Sequence, residues 1–177
     1  MANIDDFKAN LIGGGARANQ FRVTITPPPG IAIGLDVRRT SFLIQSAQLP
    51  GMTLGEVAVP FRGRVIYVAG DRPEFETWTV SVLNDTDFMV RNAMERWNNG
   101  INDLANNTGV NNPADYQTDL FVEQLDRDDV VLKSYIFRSA YPSSVGTIDL
   151  NVTTNDTIET FDIVWRYQHF EASGVNF

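Results

Sequence analysis

Apolar and polar side chains alternate along most of this sequence, and this period constrains the fold more than any other feature. Residues 21–26 read FRVTIT, with Phe21, Val23 and Ile25 on one face of an extended chain, and residues 78–82 read WTVSV. Successive side chains of a β-strand point to opposite faces, so a period of two is typical of strands that are half buried. The chain is therefore expected to fold mainly as β-sheet.

The same alternation predicts further strands at 41–47, 56–69, on either side of 126–129, at 148–152 and at 161–167. A turn is expected over YPSSVG, residues 141–146, because it combines Pro, Ser and Gly. Arg62, Gly63 and Arg64 interrupt the longest run. Either a hairpin turns there, or one long strand bulges at Gly63, and the alternation allows both.

One segment has the period of a helix. Its apolar residues recur every three or four positions, at Val90, Met94, Trp97, Ile101 and Leu104. Polar residues 84–87 precede it and offer side-chain acceptors for its first amides, and residues 98–100 are expected to end it. An Asn-rich surface loop is expected over 102–114.

These elements predict a mainly β fold, an antiparallel β-sandwich or barrel with one flanking α-helix. At 177 residues the chain suits a single domain, residues 1–177, better than two. The stretch IGGGA at 12–16 lacks the remaining residues of a phosphate-binding loop, so residues 1–20 are interpreted as an N-terminal arm.

The residues that usually carry chemistry are scarce. The chain has no cysteine, which excludes disulfides, thiolate nucleophiles and the common zinc sites, and its single histidine, His169, is interpreted as a structural residue on a strand. Glu74 and Glu76 are the only plausible acid–base pair, about 7 Å apart on a strand, but nothing in their surroundings would desolvate them. We expect no catalytic, cofactor or metal site and no enzymatic activity.

Charge and hydropathy limit the partners. Asp126, Asp128 and Asp129 lack the remaining ligands of a calcium loop and are interpreted as a solvated turn. A net charge of -8 argues against tight binding to DNA, because phosphate contacts need Lys or Arg. The sequence contains no apolar run of about 18 residues and no secretory pattern, so we expect no membrane insertion and a cytoplasmic site of assembly.

A succession of short motifs resembles a known family. In chain order these are LPG at 49–51, Arg62 and Arg64, VAGDR at 68–72, F-x-x-W at 75–78, Asn84 and Asp85, YPSSVG at 141–146, Ile148, and Thr160 with Phe161. Together they resemble the tail tube protein of contractile-tailed bacteriophages of the myovirus type, over nearly the whole chain. The PPPG insertion after the first strand and the long Asn-rich loop depart from that pattern.

The resemblance implies a structural subunit of the inner tube of a contractile phage tail. Six copies would form a ring, rings would stack inside a sheath, and DNA would pass through the channel during ejection without tight binding. It also implies tail sheath, baseplate and tail terminator proteins as partners, and the virion tail as the location.

The resemblance further implies that residues 50–72 form an extended loop or hairpin that reaches between subunits. Its candidate interface residues are Pro50, Gly51, Phe61, Arg62, Arg64, Gly70, Asp71 and Arg72. An intramolecular cap, in which Arg72 pairs with a nearby carboxylate, is the alternative for that corner.

Two other functions remain open. A tube subunit of a phage-derived contractile injection particle, or a baseplate tube paralogue, would share the same pattern. A monomeric β-sandwich that binds carbohydrate through exposed aromatic residues belongs to a different class.

Overall fold

In the computed structural model of the protein, residues 3–73 and 76–175 are described. The helices of these residues are α1 (Ile4–Asn10), α2 (Val37–Leu43), α3 (Met89–Ile101) and α4 (Pro113–Tyr116), with a 3₁₀ turn at Ile12–Gly14. The strands are β1 (Phe21–Ile25), β2 (Ile44–Ala47), β3 (Glu56–Phe61), β4 (Arg64–Ala69), β5 (Trp78–Leu83), β6 (Thr118–Leu125), β7 (Val131–Val145), β8 (Thr160–Arg166) and β9 (His169–Ala172).

Two antiparallel sheets share the long strand β7. Sheet A contains β1, β6, the first part of β7 and β9, and sheet B contains β2, β5, β8 and the last part of β7. Within β7, Ser139 has a φ of 54°, and residues Tyr141–Val145 pair with β8 instead of β6. The irregularity at Ser139 lets one strand leave the first sheet and enter the second, as bulges do at sheet corners.

A single apolar core lies between the sheets. Val23, Leu120 and Phe137 of sheet A and Val80 and Ile163 of sheet B are fully buried. Their neighbours in sequence point away from the core, which is the burial pattern that the period of two predicts. The expected mainly antiparallel β fold is therefore confirmed.

Helix α3 closes one side of this core through its buried side chains Val90, Ala93, Met94 and Trp97. The indole of Trp97 packs edge-on against Trp165 of β8, with ring centroids 5.3 Å apart. The Trp97 Nε1 donates to the carbonyl of Tyr116 at 2.9 Å, which satisfies its polar atom inside the core.

The helix ends differ from the expected ones by a few residues. Asp87, within the polar stretch 84–87, accepts from the backbone N–H of Met89 at 3.1 Å, as a side chain before a helix should. The helix continues through residues 98–100 and ends at Ile101. Leu104 was wrongly included in its apolar face, since it lies beyond the helix and is 96% exposed.

Three other sequence predictions are wrong. Residues 41–43 belong to α2, whose first turn is capped by Asp36, and only 44–47 form the expected strand. The predicted turn at YPSSVG lies mostly within β7, and residues 148–152 are irregular, with Val152 97% exposed. Strand β8 is already paired on both sides, with β5 and β7, so it offers no free edge to residues 148–152.

Arg138 links three strands of sheet A on the face away from the core. Its Nη1 lies 2.5 Å from Asp119 of β6, and its Nη2 and Nε donate to Glu171 of β9 at 2.9 Å and 3.0 Å. The hydrogen bonds from Arg138 lower the pKa of Glu171, because they stabilise its ionised form. The short strand β9 is thereby attached to its sheet by an ion pair as well as by backbone hydrogen bonds.

We predict that Ile163→Ala lowers the free energy of unfolding by about 2 to 5 kcal/mol, because a fully buried side chain is replaced by a cavity. Ile158→Ala is the matched control, since the same atoms are removed from a side chain that is 65% exposed. Urea unfolding of the dilute protein measures both. Equal losses in the two variants would contradict the assignment of the core.

We predict that Arg138→Met raises the pKa of Glu171 towards its ordinary value. In the wild type the depressed pKa contributes stability that is present above the ordinary pKa and is lost as pH falls through the folded-state value. The free energy of unfolding of the variant should lack this pH-dependent contribution. NMR titration of the Glu171 carboxyl carbon measures the shift, with Arg127→Met at the exposed β6–β7 turn as the control; an unchanged titration would contradict the role of Arg138.

Candidate assembly surface

Strands β3 and β4 form a separate two-stranded hairpin, which decides between the two interpretations of residues 56–69. Six residue pairs are in register, from Glu56 with Ala69 to Phe61 with Arg64. The two turn residues, Arg62 and Gly63, have φ angles of 46° and 81°. Positive φ at both positions is the signature of a tight type I′ turn, so the chain reverses at Gly63 rather than bulging there.

The base of the hairpin is closed by the glycines that flank it. The N–H of Gly55 donates to the carbonyl of Asp71 at 2.9 Å, and the N–H of Gly70 donates to the carbonyl of Gly55 at 2.8 Å. A Cβ at Gly55 would lie 2.7 Å from the Asp71 oxygen, closer than real contacts allow. The backbone of Gly55, Gly70 and Asp71 therefore closes the base of the hairpin.

Both faces of the hairpin expose apolar side chains, and all twelve strand residues are exposed. The exposed fractions run from 43% at Val59 to 64% at Tyr67, with Val57, Phe61, Val65, Ile66 and Val68 between them. A lone two-stranded hairpin is marginally stable in water, and apolar patches of this kind mark interaction sites. The hairpin is therefore a candidate interaction surface.

Charge is distributed unevenly between the hairpin segment, residues 50–72, and the rest of the chain. The segment holds three arginines and two acidic residues, a net charge of 3 - 2 = +1, which leaves -8 - 1 = -9 for the other residues. Arg62 and Arg64 lie at the tip, where the Arg62 guanidinium is 5.4 Å from the centre of the Phe61 ring. A basic tip on an otherwise acidic protein favours contact with the acidic surface of a second copy.

The eight predicted interface residues separate into two groups. Phe61, Arg62 and Arg64 lie at the tip, and the five others lie at the base: Pro50, Gly51, Gly70, Asp71 and Arg72. The rise of six strand residues, from Arg64 to Gly70, separates the groups by about 20 Å. Within residues 3–73 and 76–175, no carboxylate forms an ion pair with Arg72, so the intramolecular cap has no support among the residues described.

Two grooves lie beside the base of the hairpin. The larger, of about 960 Å³, is bordered by Met52 and Arg72 from the base and by Ile136, Phe170 and Glu171 of sheet A. The smaller, of about 280 Å³, contains Pro50 and Gly51 next to Trp78, whose Nε1 donates to the carbonyl of Gln48 at 2.7 Å. The first groove could not be predicted from the sequence, because it brings together residues more than 60 positions apart.

The structure does not bring together the residues that the sequence offered as candidates for catalysis or metal binding. Glu76 is exposed, and its predicted partner Glu74, like Phe75 of the F-x-x-W motif, lies outside the described residues. His169 begins β9, with Nε2 3.8 Å from Glu171. Among the described residues no three His, Cys, Asp or Glu side chains are grouped as metal ligands would be, and no helix there is long and apolar enough to cross a bilayer.

A second ion-pair cluster lies at the start of α3. Arg39 of α2 contacts Asp85 and Asp87, the latter at 2.6 Å. The hydrogen bond from Arg39 lowers the pKa of Asp85, because it stabilises the carboxylate. This cluster holds α2 beside the start of α3 and leaves the hairpin unaffected.

Comparison with known proteins agrees with this geometry. The family model described as phage tail tube protein matches residues 16–173. The chain is 31% identical to the tail tube protein of Serratia phage KSP90, over 94% of this chain and 95% of that protein. It is 30% identical to the tail tube protein gp19 of Enterobacteria phage T4, over 95% and 99% of the two chains.

Solved structures share the fold at lower identity. One of these structures is a chain of the PVC sheath–tube complex, from an extracellular contractile injection system in its extended state. It superposes on this chain with a TM-score of 0.64 at 12% sequence identity, and the superposition includes 99% of this chain and 100% of the PVC chain. The tube terminating cap of the anti-feeding prophage superposes with a TM-score of 0.65 at 17% identity, over 91% and 92% of the two chains. From the family match and the two phage relatives, this chain belongs to the phage tail tube protein family and is a structural component of a phage tail.

Proposed function

We propose that six copies of this single-domain protein form a ring, that rings stack into the inner tube of the tail, and that the hairpin segment joins the copies. The exposed apolar hairpin carries the proposal. About half of each large apolar side chain on β3 and β4 is open to solvent in the isolated protein, and burial of such surface drives association. We propose that the arm at residues 1–20 also contacts a neighbouring copy through apolar side chains, since Ile4 and Phe7 of α1 are 70% and 66% exposed.

The two groups of predicted interface residues would have different roles in such an interface. The tip, with Phe61, Arg62 and Arg64, supplies an aromatic side chain and two arginines, which are the residue types that dominate binding energy at interfaces. The base, which includes Gly70 and Asp71, is closed by backbone hydrogen bonds to Gly55. A projection from one copy that enters a different surface of the next gives a head-to-tail contact, and such contacts form a ring when the rotation between copies closes.

The proposal also assigns partners. The PVC chain comes from a sheath–tube complex, and the anti-feeding prophage chain caps a tube. By analogy, a contractile sheath outside the tube, a baseplate at one end and a terminator at the other are the partners of this chain. The role is structural, with no catalytic step.

We predict that the purified wild-type protein forms rings or tubes with a central hole in negative-stain electron microscopy. Arg64→Glu should reduce assembly at least tenfold, because it reverses the charge at the hairpin tip and places a carboxylate against an acidic surface. Arg127→Glu, which makes the same change at the exposed β6–β7 turn, is the control. Pelleting of assembled material quantifies both variants.

A wild-type protein that stays monomeric over the accessible concentration range would overturn the proposal. A stable monomer with affinity for sugars would favour the carbohydrate-binding alternative. Equal losses of assembly in Arg64→Glu and Arg127→Glu would mean that the hairpin tip has no special role in the interface between copies.

Acidity gives the proposed channel a second property. Six copies carry 6 × (-8) = -48 formal charges, and duplex DNA carries one negative charge per about 1.7 Å of axis. Repulsion between the wall and the phosphates would keep DNA from adhering as it passes. We propose that the tube conducts DNA in this way, without tight binding.

We predict that assembled tubes do not bind a short DNA duplex at about 0.15 M salt, and bind it no better at about 0.01 M, because lower salt strengthens the repulsion. Fluorescence anisotropy of labelled duplex measures binding, with a basic DNA-binding protein as the positive control. Micromolar binding that weakens with salt would show phosphate contacts and would contradict unhindered passage.

A further inference from the structure

One Asn-Gly pair occurs in the sequence, at residues 99 and 100, and it lies in the last turn of α3. In such a pair the backbone nitrogen of the glycine can attack the side-chain Cγ of the asparagine, because glycine has no side chain to obstruct the approach. The nitrogen loses its proton, the side-chain amide leaves as ammonia, and a cyclic succinimide forms. Water then opens the ring and leaves aspartate or isoaspartate in place of the thermolabile asparagine.

Packing explains why a glycine occupies this position, although glycine is unfavourable inside a helix. A Cβ at Gly100 would lie 2.8 Å from Cγ2 and 2.9 Å from Cδ1 of Ile31, which directly follows the PPPG insertion. Ile31 packs against the core there, so a larger residue at position 100 would have to displace it. The preceding Asn99 is exposed to water. The fold therefore places a reactive pair of residues at the surface.

The helical backbone opposes the reaction. Gly100 lies within α3, where its N–H donates to the carbonyl of Arg96, four residues before it. This hydrogen bond holds the proton that the attacking nitrogen has to lose. Ring closure also joins the Asn99 side chain to the backbone nitrogen, a geometry that helical dihedral angles do not allow. The last turn of α3 therefore has to open before the succinimide can form.

The Asn-rich loop contacts both residues of the pair. The N–H of Leu104 donates to Oδ1 of Asn99 at 3.1 Å, and the N–H of Val110 donates to the carbonyl of Gly100 at 3.1 Å. The first hydrogen bond restrains the side chain that would be attacked, and the second restrains the residue that would attack it. Opening of the last turn breaks both of them.

Hydrogen bonds within the loop keep these two contacts in place. The N–H of Asp103 donates to the carbonyl of Thr108 at 2.7 Å, and the N–H of Asn107 donates to the carbonyl of Asp103 at 2.9 Å. Oδ2 of Asp103 also accepts from Nδ2 of Asn106 at 2.9 Å. The loop is therefore an ordered cover on the end of α3, although its residues are mostly exposed.

We propose that Asn99 is a deamidation site, and that the end of α3 and the Asn-rich loop keep it unreactive in the folded protein. The reaction consumes only water and needs no enzyme. Because it proceeds only from the opened form, its rate at Asn99 measures how often this end of the helix opens.

The product disfavours the conformation that prevented the reaction. A carboxylate at position 99 lies near the C-terminal end of α3, where the helix dipole already carries partial negative charge. Isoaspartate also adds a carbon to the backbone, which interrupts the hydrogen-bond pattern of the last turn. Trp97, whose Nε1 donates to the carbonyl of Tyr116 at 2.9 Å, lies two residues before Asn99. Deamidation therefore weakens the attachment of α4 to the end of α3.

Mass spectrometry of the full chain tests the site. The wild-type protein is incubated at mildly alkaline pH, either folded or in concentrated guanidinium chloride, and tandem spectra assign the mass increase to residue 99. We expect Asn99 to deamidate at least about tenfold more slowly in the folded chain, since only the opened fraction reacts. Equal rates in the two states, or no reaction at Asn99 in the unfolded chain, would overturn the proposal.

Two substitutions of Leu104 test the contribution of the loop. Leu104→Pro removes the N–H that donates to Asn99, whereas Leu104→Ala keeps it. Leu104 is 96% exposed, so both variants leave the core unchanged, and circular dichroism verifies that they are folded. We expect Leu104→Pro to raise the rate at Asn99 about fivefold, the effect of losing one hydrogen bond of average strength, and Leu104→Ala to change it less than about twofold.

Equal deamidation rates in Leu104→Pro and Leu104→Ala would overturn the protective role of the loop. The comparison of folded and unfolded wild-type protein tests the site without any variant. Both measurements are made on the dilute protein, so their outcome is independent of tube assembly.

Discussion

The passage of strand β7 through both sheets is the constraint on which the rest of the structure depends. Its first part pairs with β6 and β9, its last part pairs with β8, and the change of sheet occurs at Ser139. Because one continuous strand belongs to both sheets, their inner faces are held over a common core, where Trp78 of sheet B stacks on Phe137 of sheet A with ring centroids 4.3 Å apart. Asp119 accepts from the N–H of Ser139 at 3.1 Å and also binds Arg138, so the irregular position is itself held in place.

This core leaves the β3–β4 hairpin as a separate projection. Its apolar side chains are exposed on both faces and contribute little to the core, and an exposed apolar patch of this kind is typical of an interaction site. Exposed strand edges also invite uncontrolled pairing, and Pro60 limits that risk on one side of the hairpin. In the proposed tube, this would restrict the places where another copy can attach.

Much of the fold could be predicted from local patterns, because period two and period 3.6 reflect which side of a strand or helix is buried. Val23 and Ile25 were correctly assigned to one apolar face of a strand, and Met94 and Trp97 to the apolar side of a helix, and all four are buried. The pattern failed at residues 148–152, where alternation continues without any strand to pair with, and at 141–145, where Pro and Ser resemble a turn but lie in β7. Alternation describes a strand that could pair, and only the other strands decide whether it does.

The sequence by itself determined the class of the fold, the position of the main helix, the scarcity of residues suited to catalysis and the motifs of the tail tube family. Tertiary structure alone decided that residues 56–69 form a hairpin free of the core and that Arg138 joins Asp119 to Glu171. The physical reason is how far along the chain the interacting residues lie from one another. Burial patterns are local properties of a chain, whereas pairing, exposure and free edges depend on where distant segments come to lie.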